Sequence, residues 1–293
     1  MSPGRQGAVF LLVAVTSWGV SWPINKLVLA SMGPLWMAAL RSVIAAAVLV
    51  AAAAPRGQLV PPPRADLPVL VSIALLHMVG FAVLAAIGLQ LVPVGRSVVL
   101  AYTTPLWVMP VAALFLGERL TLRRSAGLAL GMAGLAMLFN PFAFDWGDRN
   151  SVLGHGALML AALCWAVSIL HIRRHQWRST PFRLLPWETF LATVILIVMA
   201  LALEPWPTVQ WDARLLLLLA ATAVLSSTLP YWAVAMAGRT LPAGTVSLGL
   251  LGAPVIGILA AVAALGESPG LAVWVALALV IGGVAFGTTG KVR

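Results

Sequence analysis

Ala14, Trp18, Ser21, Trp22 and Asn25 fall at i, i+4, i+7, i+8 and i+11, so on a helix they share one face. Indole rings, a hydroxyl and a carboxamide on one face suit non-covalent binding: flat apolar bodies stack on the rings while polar heads take the hydrogen bonds. The same residue types recur at depth in other apolar runs. His77 is followed one turn on by Phe81, Tyr102 sits in "VVLAYTTPLW", and Tyr231 follows Pro230 in "SSTLPYW". Trp165 and Ser168 repeat the Trp18 and Ser21 spacing, and Leu251 lies in "SLGLLGAP" where Tyr102 lies in its own motif. Substrate-binding candidates are therefore Trp18, Ser21, Trp22, Asn25, His77, Phe81, Tyr102, Trp165, Ser168, Tyr231 and Leu251. The alternative is an interfacial aromatic belt with self-bonded serines, which accounts for Trp22 better than for Trp18.

The pattern offers little to bond-breaking chemistry. Acidic residues are scattered singly, and the one cysteine, Cys164, lies in an apolar run, which excludes a disulfide framework. His171 and His175 stand at i, i+4, but Arg173, Arg174 and Arg178 crowd them and disfavour a metal cation. No catalytic group, metal or cofactor is expected. Two charges interrupt apolar runs, Arg41 and Glu188; each is within snorkelling or pairing reach of an interface and is read as structural. Glu118 and Glu267, in "LFLGER" and "AALGES", are read as anchors at helix ends.

Only an apolar setting gives these polar faces meaning. The chain of 293 residues is 61% hydrophobic and 9% charged, with a mean hydropathy of +1.02. A soluble domain carries roughly 25% charge, so the composition predicts an all-α polytopic membrane protein. A β-barrel would alternate over segments of about ten residues instead of running solidly apolar. Ten helices are predicted near 7–30, 34–54, 67–90, 94–116, 123–140, 152–172, 184–203, 213–238, 243–265 and 269–288. The first, with Arg5 before it, is read as a retained span rather than a signal peptide, its apolar run being too long for an h-region. Entered near Gly7, it reaches mid-bilayer about eleven residues later, near Trp18. Pro23, which removes a backbone donor, is expected to kink it.

The net charge of +10 comes from basic residues at helix ends, which points to orientation rather than nucleic-acid binding. Arg5, Arg56, Arg64, Arg119, Arg123, Arg124, Arg173, Arg174, Arg178, Arg183, Arg239, Lys291 and Arg293 fall on one side. Lys26, Arg96, Arg149 and Arg214 fall on the other, beside Asp145, Asp148, Glu204, Asp212 and Glu267. The positive-inside bias places both termini in the cytoplasm.

The two halves echo each other. Pro93, Gly95, Pro105 and Gly134 match Pro242, Gly244, Pro254 and Gly283 at a shift of 149. Trp18, Ser21 and Pro34 match Trp165, Ser168 and Pro181 at a shift of 147. Repeats of residues 1–148 and 149–293 with five spans each, an odd number, must enter the membrane in opposite senses. Inverted repeats are the architecture of alternating-access carriers, with the solute site near the midplane.

Ten spans in two such repeats, a first helix of tryptophans and small residues, "LGE" after the fourth and ninth helices, and "PLWMAALRSVIAA" with its Pro-to-Arg pattern together resemble the drug/metabolite transporter superfamily. Within it the chain is similar to the EamA-type branch, and there to the YddG-type amino-acid exporters. The resemblance implies export of aromatic amino acids and related metabolites across a bacterial inner membrane. Relatives in that superfamily that carry drugs place a glutamate in the first helix, where this chain has Trp18; phosphate carriers would need central Lys/Arg clusters, and none appears. The expected solute is a small neutral or zwitterionic metabolite, foremost an aromatic or other amino acid; the alternatives are other amphipathic metabolites or drugs, or, in another class, an intramembrane transferase. The expected partners are that solute and the bilayer, not nucleic acid, and the expected assembly is a monomer or weak homodimer.

Overall fold

Solid apolar runs can bury their backbone polar groups only by bonding them within the same segment, and the computed structural model of the chain is helical throughout. It describes residues 3–115, 121–139, 146–241 and 243–288, and among these there is no strand. Seven helices are long and apolar enough to cross a membrane, and Ser125–Met137, Gly252–Leu265 and Leu271–Phe286 are shorter apolar helices. Glu118, Arg119, Asp145, Pro242, Lys291 and Arg293 lie outside the described residues.

Helix α1 (Pro3–Leu29) runs unbroken through Pro23 and is followed by α2 (Pro34–Ala53). A third rod is composite: α3 (Leu67–Ser72), a π-helical stretch Ile73–Phe81, then α4 (Ala82–Leu91). The fourth is broken at Tyr102–Thr103 into α5 (Val94–Ala101) and α6 (Thr104–Phe115). After α7 (Leu122–Phe139), α8 (Arg149–Arg174) and α9 (Pro181–Leu203) come α10 (Ala213–Ala223), a second π-helical stretch Val224–Thr228 and α11 (Leu229–Ala237). The chain closes with α12 (Ala243–Leu250), α13 (Gly252–Leu265) and α14 (Leu271–Thr288).

The matched prolines Pro105 and Pro254 each follow an outright break in their helix, at Tyr102–Thr103 and at Leu251. Proline lacks an N–H and collides with the carbonyl four residues back. The Ala101 carbonyl stranded by Pro105 instead accepts the Thr104 hydroxyl at 3.0 Å. The two π-helical stretches had no counterpart in the periodicity, because one extra residue per turn barely alters which residues are apolar.

Packing ties the halves together. α2 lies along α9 and α7 along α14; α1 packs on both α11 and α13, and α8 packs on both α4 and α6. Large side chains face outward: Leu201, Leu217 and Val198 are 63%, 70% and 59% exposed. That outer surface suits lipid, since no driving force removes apolar groups from hydrocarbon.

Helix starts are sealed by carboxylates from distant sequence. Glu204 accepts the N–H of Leu35 and Trp36 at 3.0 and 3.1 Å, and Glu267 accepts those of Val94 and Gly95 at 2.7 and 3.0 Å. Gly266, with φ 67°, makes the left-handed turn that brings Glu267 there. Asp66, fully buried, takes the N–H of Arg178 and Ser179 and the His175 ring at 2.8–3.1 Å. His175 is thus engaged with a carboxylate. At the other end of α4, Lys26 donates to the carbonyls of Leu89, Gln90 and Val92.

The seam between α7 and α14 is built on glycine. A Cβ on Gly283 would collide with the carbonyl of Gly127 and the backbone of Gly131. Because both obstacles are backbone, Gly283→Ala must push the helices apart. The expected loss is about 1–3 kcal/mol, read as a lowered midpoint of thermal unfolding in detergent.

Candidate functional site

The central cavity is walled by α1, α2, the third rod, α8, α9 and the α10–α11 rod. From α1 come Trp18, Ser21, Trp22 and Asn25, the face set by their spacing. Trp18 projects across the cavity, and its Nε1 donates to the Ser226 carbonyl at 3.1 Å. That carbonyl lies four residues before Pro230, which has no N–H to offer it. Ser21 donates its hydroxyl to the Trp18 carbonyl at 2.8 Å, the self-bonding reading of that serine. Trp22 is buried and also packs into the main apolar core. Asn25 is 9% exposed, and its Oδ1 has no hydrogen-bond partner among the described residues.

Opposite stands a continuous run of rings. Tyr231 meets Trp18 edge-on with centroids 5.5 Å apart, and its hydroxyl lies 3.1 and 3.2 Å from the two ring nitrogens of His77. His77 stacks on Trp165 at 5.3 Å and 5° between planes. Phe81 and Tyr102 pack edge-on against Trp165 at 5.2 and 6.0 Å. Each such pair adds about 0.5–1.5 kcal/mol beyond area burial, so the run is a stiff wall. His77 belongs to one π-helical stretch and Ser226 to the other.

Two of the expected residues stand elsewhere. Ser168 is fully buried one turn beyond Trp165, outside the cavity, with an unpartnered Oγ among the described residues. Leu251 sits at the break between α12 and α13 and packs with Leu106 and Val284 in a separate apolar cluster. Its position matches Tyr102 in the repeat, but an apolar side chain gains by leaving the wet centre. Trp232 is 41% exposed and packs against Phe10 on the outside.

Spacing also missed part of the wall. Ser42 and Thr189 line the cavity, with Ser42 and Thr193 hydroxyls 2.6 Å apart. Arg41, read from sequence as snorkelling or structurally paired, lines the cavity too. Its signal was a charge inside an apolar run, discounted because it lies only two turns from the end of α2. Glu188, its counterpart in the repeat, is buried at 4% exposure off the cavity wall and makes no ion pair with it. Among the described residues no group of three or more His, Cys, Asp or Glu converges as a metal site would require. The cavity thus offers ring faces, hydroxyls, an amide and one guanidinium, which is equipment for holding a solute.

Residues 5–140 and 152–289 each match the EamA-like transporter family. The chain is 28% identical to a probable terminal-alkyne amino-acid exporter of Streptantibioticus cattleyicolor, over 94% of this chain and 90% of that protein. It is 32% identical to a riboflavin transporter of Rhizobium johnstonii over 68% of this chain and 63% of that one. A solved crystal structure, 26% identical, covers 96% of this chain and 97% of its own with a TM-score of 0.65.

Trp18→Phe keeps a ring but deletes the indole N–H that the Ser226 carbonyl accepts. Stability is expected to fall by about 1–3 kcal/mol, and Tyr231→Phe, which removes only the hydroxyl from His77, by about 1 kcal/mol. Thermal unfolding of the two variants in detergent checks both values.

Proposed function

Because the chain belongs to the EamA-like transporter family, we propose that it exports small zwitterionic or neutral metabolites, foremost aromatic and other amino acids, across a bacterial inner membrane. The single observation that carries this is the ring-lined cavity between the halves: Trp18, Trp22, His77, Tyr102, Trp165 and Tyr231 face one space, and hydroxyls and an amide share it. Stacking suits the aromatic body of such a solute, and the polar groups suit its head. The amino-acid exporter among its relatives supports the same class.

The carrier works by alternating access. Ten spans form two inverted five-helix repeats with both termini in the cytoplasm. The mated pairings support this arrangement: α1 on α11 answers α8 on α4, and α1 on α13 answers α8 on α6. The two halves rock about the cavity and expose it to each side in turn. Among the described residues the cavity wall presents no carboxylate to exchange a proton for substrate, and His77 is the ring there able to carry one; on our reading the solute gradient drives transport. The residues act by binding, and no covalent step is assigned to them.

A second reading keeps the mechanism and changes the cargo to another amphipathic, flat metabolite, favoured by the riboflavin transporter among the relatives.

Liposomes holding the purified protein test the first reading. Labelled phenylalanine and tryptophan are expected to enter saturably, faster than glutamate or lysine, and equally with and without a proton gradient. Trp18→Ala is expected to weaken apparent affinity by roughly tenfold or more, equivalent to about 1.4 kcal/mol. Uptake of flavin but no amino acid would transfer the assignment to the second reading.

A further inference from the structure

We propose that Arg41 is the carboxylate-reading group of the cavity, so that its ligands are monocarboxylates with an aromatic or apolar body, whether or not they carry an ammonium group. The inference rests on the exporter reading above and names the feature of the solute that the site selects.

Among the described residues lining the cavity, Arg41 is the only one with a fixed charge. It enters from α2 about two turns from Pro34, and lies within electrostatic reach of Tyr231 and His77. Neither neutralises it, since neither is an anion, and the Tyr231 hydroxyl and the His77 ring are bonded to each other. Glu188, the acidic group on neighbouring α9, also acts on Tyr231 from its own side but forms no ion pair with Arg41. Aspartates and glutamates that do form close contacts spend them at helix ends: Glu204 on α2, Glu267 on α5 and Asp66 on the chain before α9. No protein acceptor bonds the guanidinium among the described residues.

Arg41 is half-buried, and its guanidinium lines the cavity with no protein counter-ion among the described residues, so its charge is free to pair. The missing partner is then a ligand anion. Guanidinium geometry matches a carboxylate through two parallel N–H donors. A phosphate dianion would call for further cations, and the wall supplies none. The rings from Trp18 to Trp165 lie beside the charge and receive the apolar body. Asn25 also lines the cavity, its buried Oδ1 unpartnered among the described residues.

Trp18, Trp22 and Trp165 line the cavity, so quenching of intrinsic tryptophan fluorescence reports occupancy without any transport step. The probes are phenylalanine, 3-phenylpropanoate, phenylalaninamide and phenethylamine titrated into the purified full chain. The two carboxylates are expected to bind within roughly tenfold of each other, and the amide and amine at least roughly tenfold more weakly. Arg41→Gln is expected to erase that preference, and Arg41→Lys to keep it in weakened form. Equal or tighter binding of the amide and amine to the unaltered protein would overturn the assignment, as would a folded Arg41→Gln protein that retains the carboxylate preference. If Arg41→Gln does not fold, the comparison of the four probes on the unaltered protein still decides. Phenylalanine uptake by liposomes without carboxylate preference would sink this inference alone, whereas binding of 3-phenylpropanoate without amino-acid uptake would sink the exporter reading and leave Arg41 in place.

Discussion

A helix in apolar surroundings has nowhere to send a stranded backbone group except into protein, and two prolines of this chain show how that demand is met. Proline strands the carbonyl four residues before it. At Pro105 the stranded carbonyl is taken by the Thr104 hydroxyl, and the carbonyl four residues before Pro230 accepts the indole of Trp18 from another helix. The second solution does more than satisfy the group, because the donor is also a cavity wall. One hydrogen bond thereby ties the ring on α1 to the α10–α11 rod, and the aromatic run continues from it through Tyr231 and His77 to Trp165.

Helical periodicity made much of this legible. The face of Trp18, Ser21, Trp22 and Asn25 could be read because side chains three and four residues apart must point the same way. Tyr102 and Tyr231 were legible for a different reason: few polar aromatics occur in runs so apolar, and depth leaves them little else to face. Ser168 and Leu251 entered the same set by repeat equivalence, and repeat equivalence fixes backbone position rather than side-chain environment. Their partners in the first half, Ser21 and Tyr102, face the cavity, while they pack into dry protein. Arg41 was visible as a charge but not as a cavity charge, since one sequence does not tell which way a lone side chain turns. The π-helical stretches left no readable trace at Ile73–Phe81; at Val224–Thr228 the stranded carbonyl before Pro230 was the available sign.

The cavity is also asymmetric in a way its symmetric scaffold would not suggest. Equivalent places carry Trp18 and Trp165, but the first is hydrogen-bonded to backbone and the second is stacked on a histidine. Arg41 lines the space while its counterpart Glu188 is buried off it. The two halves thus bring unlike groups to one cavity.

The carboxylate seals at the helix starts have a consequence for biosynthesis. Leu35, Trp36, Val94 and Gly95 belong to the first half of the chain, but their acceptors Glu204 and Glu267 belong to the second. A ribosome makes the donors long before the acceptors. During that interval α2 and α5 present bare amide groups, to be covered by water or lipid headgroups until the later helices arrive. In return, Asp66 is made early and waits for Arg178 and Ser179. Each half therefore supplies acceptors that the backbone of the other uses.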